Sequence, residues 1–416
     1  MGSYILKGRV IDGNGGAPIE KGVVMVEDGR ISVVCNENEF RSDSPLPVIS
    51  IPNGTIMPGF IDCHTHLTSI GMMPEKIFLR PKYDMLLEAV SDAKKLLEAG
   101  FTSAREMCEF GPYLKKAINN GRIPGPKLFV SGRLLSSTSG HGDTCTQVPL
   151  EYVQAQNTIA YLVDGVDACL RGARMMFREG ADFIKSCSTG GVMSVADDPN
   201  TSEFSFEELR VMVEEAERHN TYVATQSQGT GGVLKALKAG VKSIEHGIYL
   251  NEECVELMIK NDVTYDPTIS ILKAILSNPD EVPPYAYRKG CIAAENHLKS
   301  VALAHSAGVR MVLGSDFLGG DSEATAFGKQ GIEFVSLVEA GLTPMEAIVA
   351  GTKNGAHLIK KSEETGTLDI GKTADIVVVK GDPLSDISIL ANADNVKLVM
   401  QDGHIRKNTI HKPEIW

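Results

Sequence analysis

Met57-Pro58-Gly59-Phe60-Ile61-Asp62-Cys63-His64-Thr65-His66 closes an apolar run with two histidines one residue apart. In an extended strand, side chains at i and i+2 leave the same face. His64 and His66 can therefore reach one metal ion together. The stretch predicts a first barrel strand whose carboxyl end carries a hydrolytic metal site. An H-x-H pair alone is a weak signal, so further ligands must come from elsewhere in the chain.

Upstream, residues 1–57 read as short strands and turns. Ile5–Ile11 is one strand, and Gly22–Ile31 is a hairpin with Asp28-Gly29 at its tip. The far end has the same texture, with strands at Ala374–Val379 and Val396–Met400 and a second hairpin signal at Asp402-Gly403. Both ends are β-rich and the middle is not. This predicts one small β-sandwich domain from residues 1–57 and 359–416, and a separate domain over 58–358.

Within 58–358, short apolar strands alternate with amphipathic helices. The predicted strands are Gly59–Cys63, Thr102–Arg105, Lys127–Ser131, Asp182–Ser186, Tyr222–Thr225, Ser243–Glu245, Val263–Asp266 and Arg310–Leu313. Ser205-Phe206-Glu207-Glu208 and Thr343-Pro344-Met345-Glu346 are capping boxes, the second with proline at the first helical position. Eight such units over about 300 residues predict an α/β fold, the (β/α)8 TIM barrel, with its chemistry at the carboxyl ends of the strands. Ser277–Tyr287, rich in proline, reads as a loop or lid after the seventh strand.

The 416 residues are 43% hydrophobic and 23% charged, ordinary for a globular chain, with a formal net charge of -12. An acidic surface disfavours nucleic acid and anionic membranes as partners. No apolar run reaches bilayer length, and the first residues lack the basic stretch and apolar core of a secretion signal. Eight scattered cysteines without a C-x-x-C pair suggest reduced thiols. A cytoplasmic location is the resulting expectation. Cys63 and Cys187 read as small buried fillers.

Three further strand ends carry polar residues. Ala181-Asp182-Phe183-Ile184-Lys185 ends in a lysine, costly to leave charged in an apolar setting. It is either a lysine snorkelling to the barrel mouth or a neutral amine that captures CO2 as a metal-bridging carbamate. Ser243-Ile244-Glu245-His246-Gly247 offers His246 as a ligand. Gly314-Ser315-Asp316 offers a ligand that doubles as general base, or a plain helix cap. Four strand ends converging at one barrel face outweigh any one of them.

These pieces, with Gly371-Lys372-Thr373-Ala374-Asp375-Ile376-Val377 near the end, resemble the amidohydrolase superfamily over nearly the whole chain. Thr102–Glu106, Val130–Arg133, Ser139–Asp143 and Ser188–Ser194 are similar to the imidazolonepropionase-like branch of bacterial Xaa-Pro dipeptidases and arginine/lysine carboxypeptidases. The resemblance implies a barrel holding one or two divalent ions, usually Zn2+. It implies His64, His66 and Asp316 on the buried ion and a carbamate on Lys185 as the bridge. His246 and a histidine on the fifth strand would hold the second. A metal-bound hydroxide would attack the amide carbonyl, with Asp316 shuttling the proton. Similar proteins are often homo-oligomers.

One position departs from that pattern. The fifth strand reads Thr221-Tyr222-Val223-Ala224-Thr225-Gln226-Ser227-Gln228, with Gln226 where the second-site histidine is expected. An amide oxygen is a weaker zinc ligand than imidazole. One tight metal, ligation through the amide oxygen, and an engineered His→Gln change all remain open. For specificity, His141 in the glycine-rich loop and Gln228 are candidate substrate contacts, with loop bracing as the alternative for His141. Arg105 is either a carboxylate partner or a structural partner of a barrel acid. Tyr222 reads as core. His219, His297, His305, His357, His404 and His411 read as surface or packing residues.

The expected activity is metal-dependent hydrolysis of an amide bond in a small N-acyl amino acid or dipeptide, its leaving part carrying a carboxylate near His141 and Gln228. Two rivals stand beside it. Lys185 argues against a deaminase or cyclic-amide hydrolase on the same fold, which Gln226 mildly favours. Gln226 alone favours a catalytically impaired ligand-binding relative.

Overall fold

The computed structural model describes residues 2–42 and 45–410; His411 lies outside them. The chain divides into two compact units. One is built from residues up to Asp62, from Lys94–Ser103 and from Gly328 onward; the other comprises Cys63–Ala93 and Ala104–Phe327.

The first unit holds a seven-stranded sheet drawn from both ends of the chain. Tyr4–Val10 lies parallel to Val48–Pro58 and antiparallel to Ile19–Glu27, which pairs in turn with Arg30–Asn36. On the other flank Val48–Pro58 pairs with Ile376–Lys380, then Val396–Gln401 and His404–Asn408 follow antiparallel. Alternation decides the packing: Leu6, Val24, Val26, Ile56, Ile376, Val378, Leu398 and Met400 share one core. Ile5, Val23 and Met25 leave the opposite face for a smaller cluster. Phe60 packs edge-on against Phe101 and Phe334, with ring centroids 5.6 and 5.0 Å away.

The eight barrel strands fall where the sequence places them, with small shifts of boundary. Phe60–Thr65, Phe101–Glu106 and Lys127–Val130 form one three-stranded sheet. Ile184–Cys187, Val223–Ser227, Ser243–His246 and Thr264–Asp266 follow as parallel neighbours. The third strand breaks at Gly132, whose φ of 65° suits glycine, and resumes as Leu134–Ser136 beside the fourth. The eighth, 310–313, pairs through isolated bonds rather than a full ladder. The Tyr265 amide donates to the Arg310 carbonyl, and the Cys63 amide to that of Leu313. The second bond closes the ring.

Both predicted capping boxes are formed, at Ser205/Glu208 and Thr343/Glu346. The segment after the seventh strand differs from expectation. Ile269–Ser277 is helical, and a 23-residue helix, Pro284–Ser306, begins inside the stretch read as a loop. Proline at the first helical turn starts that helix rather than interrupting it. No described helix is long and apolar enough to cross a membrane.

A Cβ at Gly331 would overlap the Leu390 carbonyl oxygen, a backbone atom that cannot swing aside. Gly331→Ala is expected to cost about 1–3 kcal/mol, read as a lower thermal unfolding midpoint.

Candidate active site

Every residue of the site lies in the barrel unit. His64 and His66 stand at the end of the first strand, their rings 5.2 Å apart. Asp316 follows the eighth strand, and its amide donates to the His64 carbonyl. Its Oδ1 lies 3.4 Å from His64 Nε2 and 3.2 Å from His66 Nε2. One ligand atom from each of the three falls within 4.8 Å of the others.

The outer nitrogens settle what these atoms are. His64 Nδ1 is 2.9 Å from Glu245 Oε2. Glu245 is held ionised against burial by Arg105, Lys185 and His64. A carboxylate only accepts, so Nδ1 carries the proton. His66 Nδ1 faces the Met107 carbonyl at 3.2 Å and must donate as well. Burial, aided by Lys185, pushes His64 down to about 4, so its ring is neutral. Its Nε2 therefore turns a lone pair toward Asp316. Asp316, despite burial, is held far below the usual carboxylate range by His64, His66 and His246. Electron-rich atoms facing one another at this distance repel unless a cation lies between them. The donor set fits a divalent ion.

Lys185 lies inside the fourth strand, Ile184–Cys187, at 1% exposure, and its Nζ finds no hydrogen-bond partner among the described residues. Burial lowers its pKa, helped by the Arg105 charge. The result is a lysine shifted toward the nucleophilic free amine. His246 ends the sixth strand, its ring 5.2 Å from that of His64 and its Nδ1 2.7 Å from Thr268 Oγ1. Burial drives its pKa well down. His246, Thr268 and Asp316 all have left-handed backbones, φ 69°, 50° and 58°. Such strain persists where surrounding packing enforces it, and it gathers at functional sites.

Arg105 is completely buried. Its Nη2 lies 3.0 and 2.8 Å from the two Glu245 oxygens and 3.3 Å from Asp266 Oδ2. His64, Glu245 and Asp266 thus form a second cluster of three donors whose cation is already present as the guanidinium. Arg105 lines no part of the cleft described next. Its geometry fits the structural partner of barrel acids rather than a substrate contact.

The cleft has two lobes that meet at His141, Met193, Gln226, Ile271 and Asp316. One, enclosing about 660 Å³, reaches His64, His66 and Lys185. The other, about 400 Å³, runs past His246, Gln228 and Thr268 to His297. Gln226 and Gln228 are 4% and 5% exposed, and Gln226 Nε2 and Gln228 Oε1 have no partner among the described residues. His141 is braced by Ser194 Oγ at 2.9 Å from Nδ1, and its amide donates to Glu203. Desolvation lowers its pKa against Asp197 and Asp316. Apart from Lys185 and the histidines, no cationic side chain lines either lobe among the described residues.

The sequence reading missed Glu245, Thr268 and His297. Glu245 had a signal, because it points inward two residues beyond Ser243 on an apolar strand. His297 had none: on a helix it looks like any packing histidine.

The amidohydrolase family model matches residues 55–406, and the chain belongs to that family. It is 32% identical to the ochratoxinase of Aspergillus niger over 431 residues, covering 97% of this chain and 86% of that protein. A crystal structure of a prolidase complexed with N-methylphosphonate-L-proline superposes with a TM-score of 0.91 at 31% identity, over 98% of this chain and 100% of that one. A Xaa-Pro dipeptidase with bound methionine gives 0.88 at 28% identity, over 98% and 100%. The protein is thus a hydrolytic enzyme acting on carbon–nitrogen bonds.

Arg105→Ala would leave Glu245 and Asp266 buried without their cation. A loss of about 3–5 kcal/mol of stability is expected from chemical denaturation. Arg105→Lys should recover only part of it, because an ammonium cannot span both acids.

Proposed function

We propose that this enzyme hydrolyses the amide bond of a small N-acyl amino acid or dipeptide and depends on divalent metal. The observation that carries the reading is the convergence of one ligand atom each from His64, His66 and Asp316 beside a buried, unpartnered Lys185. The amide-cleaving and dipeptide-cleaving relatives named above support the substrate class.

His64, His66 and Asp316 would hold one ion, most simply Zn2+ given two imidazoles and a carboxylate. His246, with Gln226 as a weaker neighbour, would hold a second. A free Lys185 amine would take up CO2, forming an N–C bond and releasing an N–H proton to solvent, and the carbamate would offer two further oxygen donors sharing one negative charge. Bound ions supply Lewis acidity toward the amide carbonyl and toward water at neutral pH. The chain's own residues do the remaining work. Asp316 accepts the proton of the attacking water and returns it to the leaving nitrogen. Glu245 fixes the His64 tautomer, and Thr268 fixes the His246 ring. His141 touches the substrate at the junction of the lobes, and Gln228 touches it in the lobe past His246. Arg105 holds Glu245 in place.

A second reading, a deaminase or cyclic-amide hydrolase, is favoured by Gln226 alone, and Lys185 argues against it. A panel of ring amides and aminopurines against dipeptides separates the two.

Elemental analysis of the protein beside Gln226→His tests the metal reading. About two ions per chain in both means that the second site tolerates the amide. About one, rising to about two with higher activity in the histidine variant, means that Gln226 weakens that site. No tightly bound ion in either, with activity indifferent to chelators, would sink the proposal.

Asp316→Asn is expected to lower kcat by about 10²–10⁴-fold. Lys185→Ala should lose the carbamate and with it most of the bound metal, read by 13C NMR of the protein equilibrated with labelled bicarbonate.

A further inference from the structure

The two lobes of the cleft differ in chemistry. The lobe past His246 is walled by Val192, Ile248, Ile271, Leu272 and Ile275. Its cationic neighbour Lys289 is tied to the Gly191 and Ser194 carbonyls and to Asp197. Away from the ion proposed at His246, a carboxylate placed at Gln228 would therefore lose its water and meet no cationic side chain free to pair with it, a poor exchange. An N-acyl amino acid has one charged half and one uncharged half. The lobe's lining selects the uncharged one.

His297 enters this lobe from the long helix Pro284–Ser306. It is 2% exposed. The carbonyls of Pro267 and His246 are near, yet neither ring nitrogen makes a well-formed hydrogen bond among the described residues. Ser300, one turn further along the same helix, is fully satisfied: it accepts from the Leu250 amide and donates to the Ile248 carbonyl. The helix can therefore satisfy its buried polar groups, and His297 is an exception on it. Buried polar groups without partners are rare, and an apolar residue here would avoid the cost. An imidazole on an apolar wall, facing backbone carbonyls without a well-formed hydrogen bond to either, is suited to reading a ligand.

We propose that the lobe past His246 receives an apolar, uncharged acyl group, aryl or branched alkyl, and that His297 reads a single hydrogen-bonding atom on it. This assignment rests on the amide-hydrolase reading for which half of the substrate enters. It replaces the sequence-based expectation of a carboxylate near Gln228 with a neutral group there. A site built to hydrogen-bond one substrate atom discriminates strongly against the analogue lacking it, whereas apolar walls alone discriminate weakly.

The test uses the metal-loaded enzyme with N-benzoyl-L-alanine, its three ring-hydroxylated isomers and N-succinyl-L-alanine. KM and kcat are measured for the protein, His297→Phe and His297→Gln, with thermal unfolding as the folding control. The benzoyl compounds should show KM about tenfold or more below the succinyl compound. At least one hydroxybenzoyl isomer should show KM about fivefold below plain benzoyl, and His297→Phe should erase that difference while kcat moves less than about twofold. His297→Gln, which keeps a donor and an acceptor, should retain part of the preference and serves if the phenylalanine variant does not fold. Equal handling of succinyl and benzoyl substrates overturns the assignment of the lobe. An equal shift of hydroxylated and plain substrates in both variants overturns the role of His297. Calorimetric titration with benzoate, the hydroxybenzoates and succinate separates this inference from the reaction. If no amide is cleaved but hydroxybenzoate binding still depends on His297, the amide-hydrolase reading fails and the lobe assignment stands. Indifference of the acids to the lobe and to His297 sinks the assignment itself.

Discussion

A guanidinium buried at the centre of the barrel governs the site. Arg105 holds Glu245 ionised despite burial and pairs with Asp266 as well. Ionised Glu245 accepts a hydrogen bond from His64 Nδ1–H, so the Nε2 lone pair is the one turned toward Asp316. The same positive charge helps push Lys185 toward its neutral form. One buried cation thus sets the tautomer of His64 and favours the neutral state of Lys185. The chain spends a salt-bridge network in its core on preorganising chemistry rather than on stability, since well-packed apolar residues would stabilise as much.

Around that centre the barrel gives rigidity, and its strand ends give strain. His246, Thr268 and Asp316 adopt backbone conformations that few side chains take up willingly. Each lines the cleft from the last residue of a strand or from the turn just beyond one. The short strands leave little room for adjustment, so these turns are held by their neighbours. Gly314, immediately before Ser315-Asp316, has no space for a side chain against the Asp266 carboxylate. The path into Asp316 is therefore dictated by the same acid pair that Arg105 serves.

Much of the fold was legible because periodicity is a local property. All eight barrel strands, both capping boxes and the β-rich ends could be read from alternation and turn residues. The stretch after the seventh strand could not. Its prolines are equally compatible with a loop and with a helix start, and only the packing of Ala286, Ala293 and their neighbours against Ile271 and Ile275 chose the helix. The candidate ligands were legible for the same reason: strand ends in this fold face one way, so polar residues there announce themselves.

The sequence by itself determined the class of fold, the candidate donor residues and the glutamine at position 226 beside them, because each depends on residue type and on spacing along one strand. Only the tertiary structure decided how those residues work on one another. That Arg105 faces Glu245 rather than the cleft, that Nε2 of both first-strand histidines turns toward Asp316, and that His297 reaches the lobe beside His246 all depend on segments 50 to 250 residues apart in the chain being brought within a few ångströms. Hydrogen bonding, charge and desolvation act through space, and distance along the chain carries no record of them.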